Sequence, residues 1–207
     1  MALSPAPLRV DAARNRQRIV TAAREAFVDQ GAEFPLDEIA RRAGVGNATV
    51  YRHFADRDAL IREVMLEVSE RIAQCAREAL ADHRGFEAVE HFVHEAIRER
   101  IGALCAMISP RVKLEDHQLH DSRQQLENLV EELLDRARAA GEIRPDVAVG
   151  DLMLAITLLT RPLPGAPCSP FDHMVARHIR LLLDGLRTPT PSDLPGAPPT
   201  LETLRQS

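Results

Sequence analysis

The side chains with the most evident chemistry lie in the segment 47–54, where hydrogen-bonding groups recur at helical spacing. Alternate members of this set lie one helical turn apart: Asn47, Thr49, Tyr51 and His53. Val50 and Phe54 are also four positions apart and give the same helix one apolar edge. Such a helix buries that edge and presents amide, hydroxyl and imidazole groups outward. These are groups that contact DNA phosphates and base edges.

Three elements must position this segment, and the sequence predicts each of them. Asp11 is a candidate cap for a first helix that runs to about Gln30, and apolar residues at i, i+3, i+4 and i+7 predict a second helix over 36–43. Residues 44–46, which read Gly-Val-Gly, form a tight turn before a third helix over 47–53. This arrangement indicates a helix-turn-helix. Two short helices are also common as solvated surface elements, so that alternative stays open at this point.

The rest of the chain predicts an all-α protein without strands. Asp56 is a good cap for a long fourth helix, and further helical patterns cover residues 86–108, 121–140, 147–160 and 171–187. The chain therefore divides into a flexible arm (1–10), a helix-turn-helix domain (11–57), a helical domain (58–187) and a disordered proline-rich tail (188–207).

The composition narrows the class of protein. The 207 residues carry a net charge of −5, yet residues 1–60 hold nine arginines against eight acidic residues, so positive charge gathers at the front of the chain. The apolar runs are too short to cross a bilayer and no signal peptide is evident, so we predict a cytoplasmic protein with no membrane partner. Three widely separated cysteines make neither a disulfide framework nor a zinc cluster.

One histidine-containing cluster has the spacing of metal ligands. It consists of His117 and His120 with the acidic residues Glu115, Asp116 and Asp121. A polar loop or helix end accounts for this cluster more simply, so we predict no metal site. The sequence also lacks a nucleophile–base–acid set and a glycine-rich phosphate loop, and we expect neither catalytic activity nor a cofactor.

Residues 16–60 resemble the N-terminal DNA-binding domain of the TetR family of bacterial transcriptional regulators. The resemblance is carried by four features in order: Ile19 to Phe27 with Gly31, Ile39 to Val45, Asn47 to Phe54, and Arg57 with Leu60. Two positions depart from the family, which usually has Thr and Ser as the caps of the second and third helices. This chain has Pro35 and Gly46 there, so a common hydroxyl contact to phosphate is missing at Pro35.

The resemblance implies DNA-binding roles for particular positions. Asn47 and Ala48 match the leading edge of the recognition helix, where bases are read, and Arg57 matches a basic position that holds the phosphate backbone. Arginines of the first three helices add positive charge that neutralises phosphates. The predicted DNA-binding set is Arg16, Arg41, Asn47, Ala48, Thr49, Tyr51, Arg52, His53 and Arg57.

The helical domain carries two further predictions. The helices over 147–160 and 171–187 are candidates for a homodimer interface, with Leu152, Ile156, Leu159, Met174, Ile179 and Leu182 as its residues. If the resemblance holds, the helices over 60–140 enclose a small-molecule effector, with Phe86, Phe92, Met107, Ile108 and Leu126 as candidates for the lining. Ordinary core packing is the alternative for both sets.

These observations predict a dimeric regulator that binds a palindromic operator in double-stranded DNA. The resemblance favours a repressor that a small-molecule effector releases from its operator. One alternative is a helix-turn-helix protein without an effector, acting through a protein partner or as an architectural factor. The other is an enzyme, for which the cluster at 117–121 is the only feature that comes near a site.

Overall fold

A computed structural model describes residues 7–30, 34–100, 116–161, 171–187, 192–197 and 199 of the chain. Within these ranges it contains eight α-helices and no strand, which confirms the all-α prediction. The helices are α1 (Pro7–Gln30), α2 (Leu36–Ala43), α3 (Asn47–His53), α4 (Arg57–Asp82), α5 (Gly85–Arg98), α6 (His117–Ala139), α7 (Val149–Thr160) and α8 (Phe171–Leu186). None of the helices in the described ranges combines the length and apolar character needed to cross a membrane.

The first three helices pack into a small head with its own apolar centre. One face of α1 is fully buried and meets the buried sides of α2 and α3; the residues of this cluster are Ile19, Ala23, Phe27, Ile39, Val50 and Phe54. At the turn between α2 and α3, Gly44 has a φ of 63°, which favours glycine because other residues are strained there. A Cβ on Gly44 would stand 2.5 Å from the end of the flexible Arg18 side chain, which can move aside, so the positive φ is what favours glycine at this turn.

The body of the molecule is built around α4. This helix packs against α1 on one side and against α5 and α6 on the other, so it belongs to the head and the body at once. Leu60, Ile61 and Val64 lie buried along its first turns. Asp56 caps it as predicted, since its carboxylate accepts a hydrogen bond from the Ala59 N–H at 2.8 Å.

Two helix boundaries near the head differ from the predicted ones. α1 begins at Pro7 instead of after Asp11, because proline suits the first helical position, where its missing N–H has no intrahelical partner. α5 ends at Arg98 instead of continuing to 108. Arg100 has a φ of 51°, in the left-handed region, which is incompatible with a continuing helix. Residues 101–108 lie outside the described residues.

Three further boundaries in the body also differ. α6 begins at His117, four residues early, because the Asp116 carboxylate accepts hydrogen bonds from the N–H groups of Gln118 and Leu119. α7 begins at Val149 instead of 147. In the tail, which we predicted to be disordered, the described residues contact the body: the Ser192 carbonyl accepts a hydrogen bond from Arg144 at 2.7 Å.

Candidate nucleic-acid interface

α3 presents an outward face that carries Asn47 and Tyr51 of the four polar residues predicted for it. Val50 and Phe54 are buried against α1 and α2, which fixes the rotation of the helix. The opposite side is open to solvent and carries Asn47, Ala48, Tyr51 and Arg52, with Tyr51 54% exposed. An exposed tyrosine, amide and guanidinium on one short helix supply donors and acceptors for phosphates and base edges.

Three of the predicted DNA-binding arginines are engaged within the protein. Arg16 forms an ion pair with Glu63 of α4 and lies over the Phe54 ring, 5.1 Å from its centroid. Arg41 pairs with Glu38 on the same helix, its Nε 2.7 Å from the carboxylate. Arg57 donates from Nη1 to the Phe34 carbonyl at 2.7 Å, so it ties the start of α4 to the entry of α2. These contacts hold the head together, and DNA would have to share or displace them.

Thr49 and His53 are half-buried, unlike the other polar residues of α3. The Nε2 atom of His53 is buried and has no hydrogen-bond partner in the described structure. Burial lowers the pKa of His53, and the positive charges of Arg52 and Arg16 lower it further. His53 is therefore neutral at physiological pH. It can offer DNA a hydrogen bond through its other ring nitrogen but no positive charge.

The two unusual caps have the predicted consequence. Pro35 precedes α2 and Gly46 precedes α3, and neither provides a side-chain hydrogen bond to its helix. The Thr49 N–H instead bonds the Gly46 carbonyl at 2.8 Å. The recognition helix thus begins without the side-chain cap that Ser, Thr or Asp would supply.

Ion pairs connect the head to the body. On α1, Gln17 donates to Glu67 at 3.1 Å, and Arg24 donates to Glu99 at 3.0 Å. Arg71 of α4 grips the same Glu99 carboxylate with two hydrogen bonds of 2.6 and 2.7 Å, and this lowers the pKa of Glu99. Because Glu99 closes the end of α5, one carboxylate joins α1, α4 and α5.

The predicted effector residues lie in the core as far as the structure describes them. Phe86, Phe92 and Leu126 are buried on α5 and α6, while Met107 and Ile108 lie outside the described residues. An open groove of about 420 Å³ on the surface of α6 is lined by other residues: Asp121, Gln124, Gln125, Asn128, Leu129 and Glu132. The described contacts of the three buried residues are those of ordinary packing.

The predicted dimer residues differ in how far their side chains are exposed. Leu152, Ile156 and Ile179 are buried within the protomer, so they present no surface to a partner, and Leu159 and Leu182 are half-buried. Met174 is 53% exposed. Three other exposed apolar residues of the same helices were not in the predicted set: Leu154, Leu158 and Leu181. The apolar periodicity predicted both helices but did not predict which side of each helix would be buried within the protomer.

In the histidine cluster at the start of α6, Asp116 is the residue that caps the helix. The Asp116 carboxylate accepts two hydrogen bonds from the Arg62 guanidinium, which lowers its pKa to about 2, while His117 and His120 are exposed. Among the described residues, no group of three or more potential ligands is placed to hold a metal ion. Glu115 lies outside the described residues.

One contact of the recognition helix was not predictable from the sequence. The Asn47 side-chain amide donates a hydrogen bond to the Asp37 carboxylate at 2.8 Å. These residues lie ten positions apart on different helices, so no helical periodicity relates them. Only the crossing of α2 and α3 brings them together.

Comparison with known proteins gives matches along most of the chain. Residues 19–64 match the family model of bacterial regulatory proteins of the tetR family, and residues 85–188, about half of the chain, match the model of the SbtR-like transcriptional regulator C-terminal domain. The HTH-type transcriptional regulator UidR of Escherichia coli is 27% identical over 152 residues, which cover 68% of this chain and 74% of that protein.

Solved structures give the same result for the fold. The TetR transcriptional regulator SCO0520 of Streptomyces coelicolor is 30% identical, with a TM-score of 0.64, and the match covers 84% of this chain and 99% of that one. The TetR-like regulator LfrR of Mycobacterium smegmatis, solved in complex with proflavine, is 21% identical, with a TM-score of 0.61 over 86% of this chain and 99% of that one.

Proposed function

Because the chain belongs to the TetR family of bacterial transcriptional regulators, we propose that it is a homodimeric repressor that reads a palindromic operator with α3. The observation that carries this proposal is the exposed face of α3, held at a fixed rotation by two buried residues. Asn47 and Ala48 lie at the leading end of that face, where bases are read. Binding to operators on the chromosome places the protein in the cytoplasm.

We assign the remaining contacts to the phosphate backbone. Tyr51 and Arg52 are exposed beside the base-reading end, and Thr49 and His53 offer shorter polar groups at its margin. Arg16, Arg41 and Arg57 reach phosphates only by giving up or sharing their present partners. Each phosphate neutralised contributes about −0.9 to the slope of log affinity against log salt concentration.

The dimer we propose pairs α7 and α8 of two protomers across a two-fold axis. On α7, Leu154 and Leu158 lie one turn apart and are exposed, and on α8 Met174 and Leu181 lie two turns apart and are exposed. Because α7 and α8 pack against each other, we take these residues to belong to one apolar surface on each protomer. A two-fold dimer places two recognition helices one or more DNA turns apart, which suits a palindrome.

We further propose that a small-molecule effector releases the repressor. LfrR, which has the same fold, is described in complex with proflavine, and this supports a small-molecule ligand. The effector would bind within 58–187, the helical domain that we distinguish from the DNA-binding domain 11–57. Movement of α4 would then carry the change to the head, because this helix contacts both. A coupling of about 1–3 kcal/mol gives roughly a 5- to 150-fold loss of operator affinity.

The proposal is tested by selecting bound molecules from a random DNA library at about 150 mM salt, where weak electrostatic binding is suppressed. We expect one palindromic consensus. Asn47→Ala should relax the preference at one base pair per half-site, at a cost on the order of 1–3 kcal/mol, whereas Arg52→Ala should weaken binding to all sequences alike. Recovery of no consensus would contradict operator reading and favour the architectural alternative.

The effector is tested separately, on the operator so obtained. Ligands that raise the thermal stability of the protein are added to the protein–operator complex, and operator affinity is measured with and without each one. We expect at least one stabilising ligand to lower operator affinity. A ligand that binds tightly and leaves operator affinity unchanged would contradict release by that ligand. A broad screen in which no ligand shifts stability would favour regulation by a protein partner.

A further inference from the structure

A hydrogen bond joins the side chains of Asp37 and Asn47 across the two helices of the helix-turn-helix. Asp37 lies in the first turn of α2, and Asn47 is the first residue of α3; both side chains are exposed on the head. The Nδ2 atom of Asn47 stands 2.8 Å from Oδ1 of Asp37. The amide at the base-reading end of α3 is therefore held from outside its own helix.

This contact decides which way the Asn47 amide faces. A primary amide has two N–H donors on nitrogen and an acceptor oxygen, and a carboxylate only accepts. If the amide rotated by half a turn, its oxygen would face the Asp37 carboxylate, and two acceptors would oppose each other. The carboxylate thus takes one N–H and leaves the other N–H and Oδ1 directed away from α2.

The remaining donor and acceptor match one base. Adenine presents N7, an acceptor, and the N6 amino group, a donor, in the major groove, and asparagine pairs with both. One N–H and one carbonyl oxygen are enough for this bidentate contact. An amide that is already oriented loses less side-chain freedom on binding than a freely rotating one.

The Asp37 carboxylate also opposes DNA binding in general. It brings a negative charge to a surface that must approach phosphates, and it repels them. A residue that weakens binding to every sequence while holding a base-reading amide raises selectivity at the expense of affinity.

We propose that Asp37 is a positioning residue for base reading, and that it fixes Asn47 to select adenine at one position of each operator half-site. This inference rests on the proposed function, in which α3 reads the operator. It adds a residue outside the recognition helix to the set that determines sequence preference.

The chain supplies matched variants for the test. Asp37→Ala removes both the charge and the acceptor, whereas Asp37→Asn removes the charge and keeps an acceptor oxygen for Asn47. Glu38→Ala removes a neighbouring charge of the same helix turn, and Glu38 is bonded to Arg41 and not to Asn47. Asn47→Ala removes the reader itself.

The measurement is the ratio of affinities for two DNA duplexes at one salt concentration. One duplex is the selected operator, and in the other the A·T pair read by Asn47 in one half-site is replaced by G·C. Affinity for an unrelated duplex is measured alongside. The ratio is taken on one protein preparation, so it does not depend on the folded fraction of a variant.

We expect the unmodified chain to prefer the selected operator by about 5- to 150-fold, as one bidentate base contact provides. Asn47→Ala should lose this preference. Asp37→Ala should lose most of it while binding unrelated DNA more tightly, whereas Asp37→Asn and Glu38→Ala should bind unrelated DNA more tightly and keep the preference.

Three results would overturn the inference, and they differ in meaning. If Asn47→Ala loses the preference and Asp37→Ala keeps it, Asp37 does not position the reader, while the proposed function stands. If Asn47→Ala itself keeps the preference, α3 does not read this base through Asn47, and both the inference and this part of the proposed function fail. A preferred base other than adenine would overturn the assignment of the amide orientation.

Discussion

In the head, arginines that we predict to contact DNA also form bonds within the protein. Arg57 bonds a backbone carbonyl and Arg16 a carboxylate of α4, so both hold the head together. The pair of Arg41 with Glu38 lies on the surface, where solvent screens ion pairs and they contribute little to stability, so a phosphate can replace Glu38 at small cost. Substitutions of Gly46, which precedes α3, and of Glu67, on α4, measure how much single polar positions change the stability of the protein.

Gly46→Ser should stabilise the recognition helix. Gly46 has an extended backbone with a φ of −73°, and a Cβ there meets nothing within 4 Å, so serine fits without strain. Its hydroxyl can cap α3, whereas the control Gly46→Ala adds a Cβ without a cap. Urea denaturation should find the serine variant more stable than the alanine variant by about 1 kcal/mol. Equal stability of the two variants would show that this hydroxyl does not cap α3.

Glu67→Gln should stabilise the protein at neutral pH. Burial raises the pKa of Glu67, against the attraction of Arg24 and Arg71, and Oε2 is buried without a partner among the described residues. The folded state therefore holds this proton to a higher pH than the unfolded chain, whose carboxyl titrates near 4.5. The ionised carboxylate thus lowers stability above that range.

The measurement compares denaturation midpoints of the two proteins at pH 4 and pH 7.5. Glutamine keeps the acceptor for Gln17 and carries no charge, so its advantage should be largest at pH 7.5 and should shrink as the pH falls through the raised pKa toward 4.5. A glutamine variant that is less stable at pH 7.5 would mean that the attraction of the two arginines exceeds the cost of burial.

At the scale of elements, ion pairs connect α4 to α1 at two places, directly near the start of α4 and through Glu99 further along. Arg16 of α1 pairs with Glu63 near the start of α4, and Arg62, the residue before Glu63, bonds the Asp116 cap of α6. Further along, Glu99 joins α1 to α4 through two arginines. A shift of α4 therefore moves α1 with it, which is the coupling that the proposed release requires.

Glu99→Gln should loosen this junction. The side chains of Glu99 and Arg24 are 14% and 18% exposed, so their hydrogen bonds are shielded from water, and their loss should cost on the order of 1–3 kcal/mol at pH 7. The matched control is Glu95→Gln on the same helix, whose partner Arg98 is 72% exposed, and it should cost less than about 1 kcal/mol. Urea denaturation of both variants measures the difference.

The pH dependence of the Glu99 variant provides a second check. Hydrogen bonding to Arg71 lowers the pKa of Glu99 below its usual 4.5, so its stabilisation is present above that value and is lost as the pH falls through the lowered pKa. The cost of Glu99→Gln should therefore shrink below about pH 4.5. Equal costs for Glu99→Gln and Glu95→Gln would contradict the junction.

At the scale of the whole molecule, the exposed apolar residues of α7 and α8 are the surface that we propose for the dimer. Leu158 and Leu181 are 59% and 58% exposed on adjacent helices, and an apolar surface of this kind marks an interaction site. A dimer through α7 and α8 uses neither α2 nor α3, so we expect it to leave both heads free for DNA.

Leu158→Asp should abolish the dimer. A carboxylate at the centre of an apolar interface is buried without a partner, which opposes association. Leu194→Asp is the control, because Leu194 is 46% exposed and lies in the tail. Sedimentation at micromolar concentration should find a monomer for Leu158→Asp and a dimer for Leu194→Asp. A Leu158→Asp variant that remains dimeric would place the interface elsewhere.

Operator binding should fail with the dimer. A monomer carries one recognition helix and reads one half-site, so Leu158→Asp should lose the preference for the palindrome while retaining weak, salt-sensitive binding. The affinity of both leucine variants for the selected operator measures this directly.

Helix positions could be predicted from the sequence where the residues that start, stop and pattern the helix lie close together in the chain. α2, α3 and the start of α4 lie at the predicted residues, because apolar spacing, a glycine turn and the Asp56 cap act within a few positions of one another. Helix ends that depend on distant contacts were less predictable. α6 starts early, at His117, because it is capped by Asp116, which also binds Arg62, 54 positions earlier in the sequence.

Which side of each helix is buried could not be predicted from the sequence, because it depends on the helices that pack against it. Leu152 and Leu158 have the same residue type on one helix, yet the first is buried and the second exposed, because neighbouring helices cover one side and leave the other. The same holds for the head, where the sequence placed Asn47 on the recognition helix but its pairing with Asp37 arises from the crossing of two helices. Periodicity records the order of residues along a helix, whereas partners across helices depend on how the chain packs.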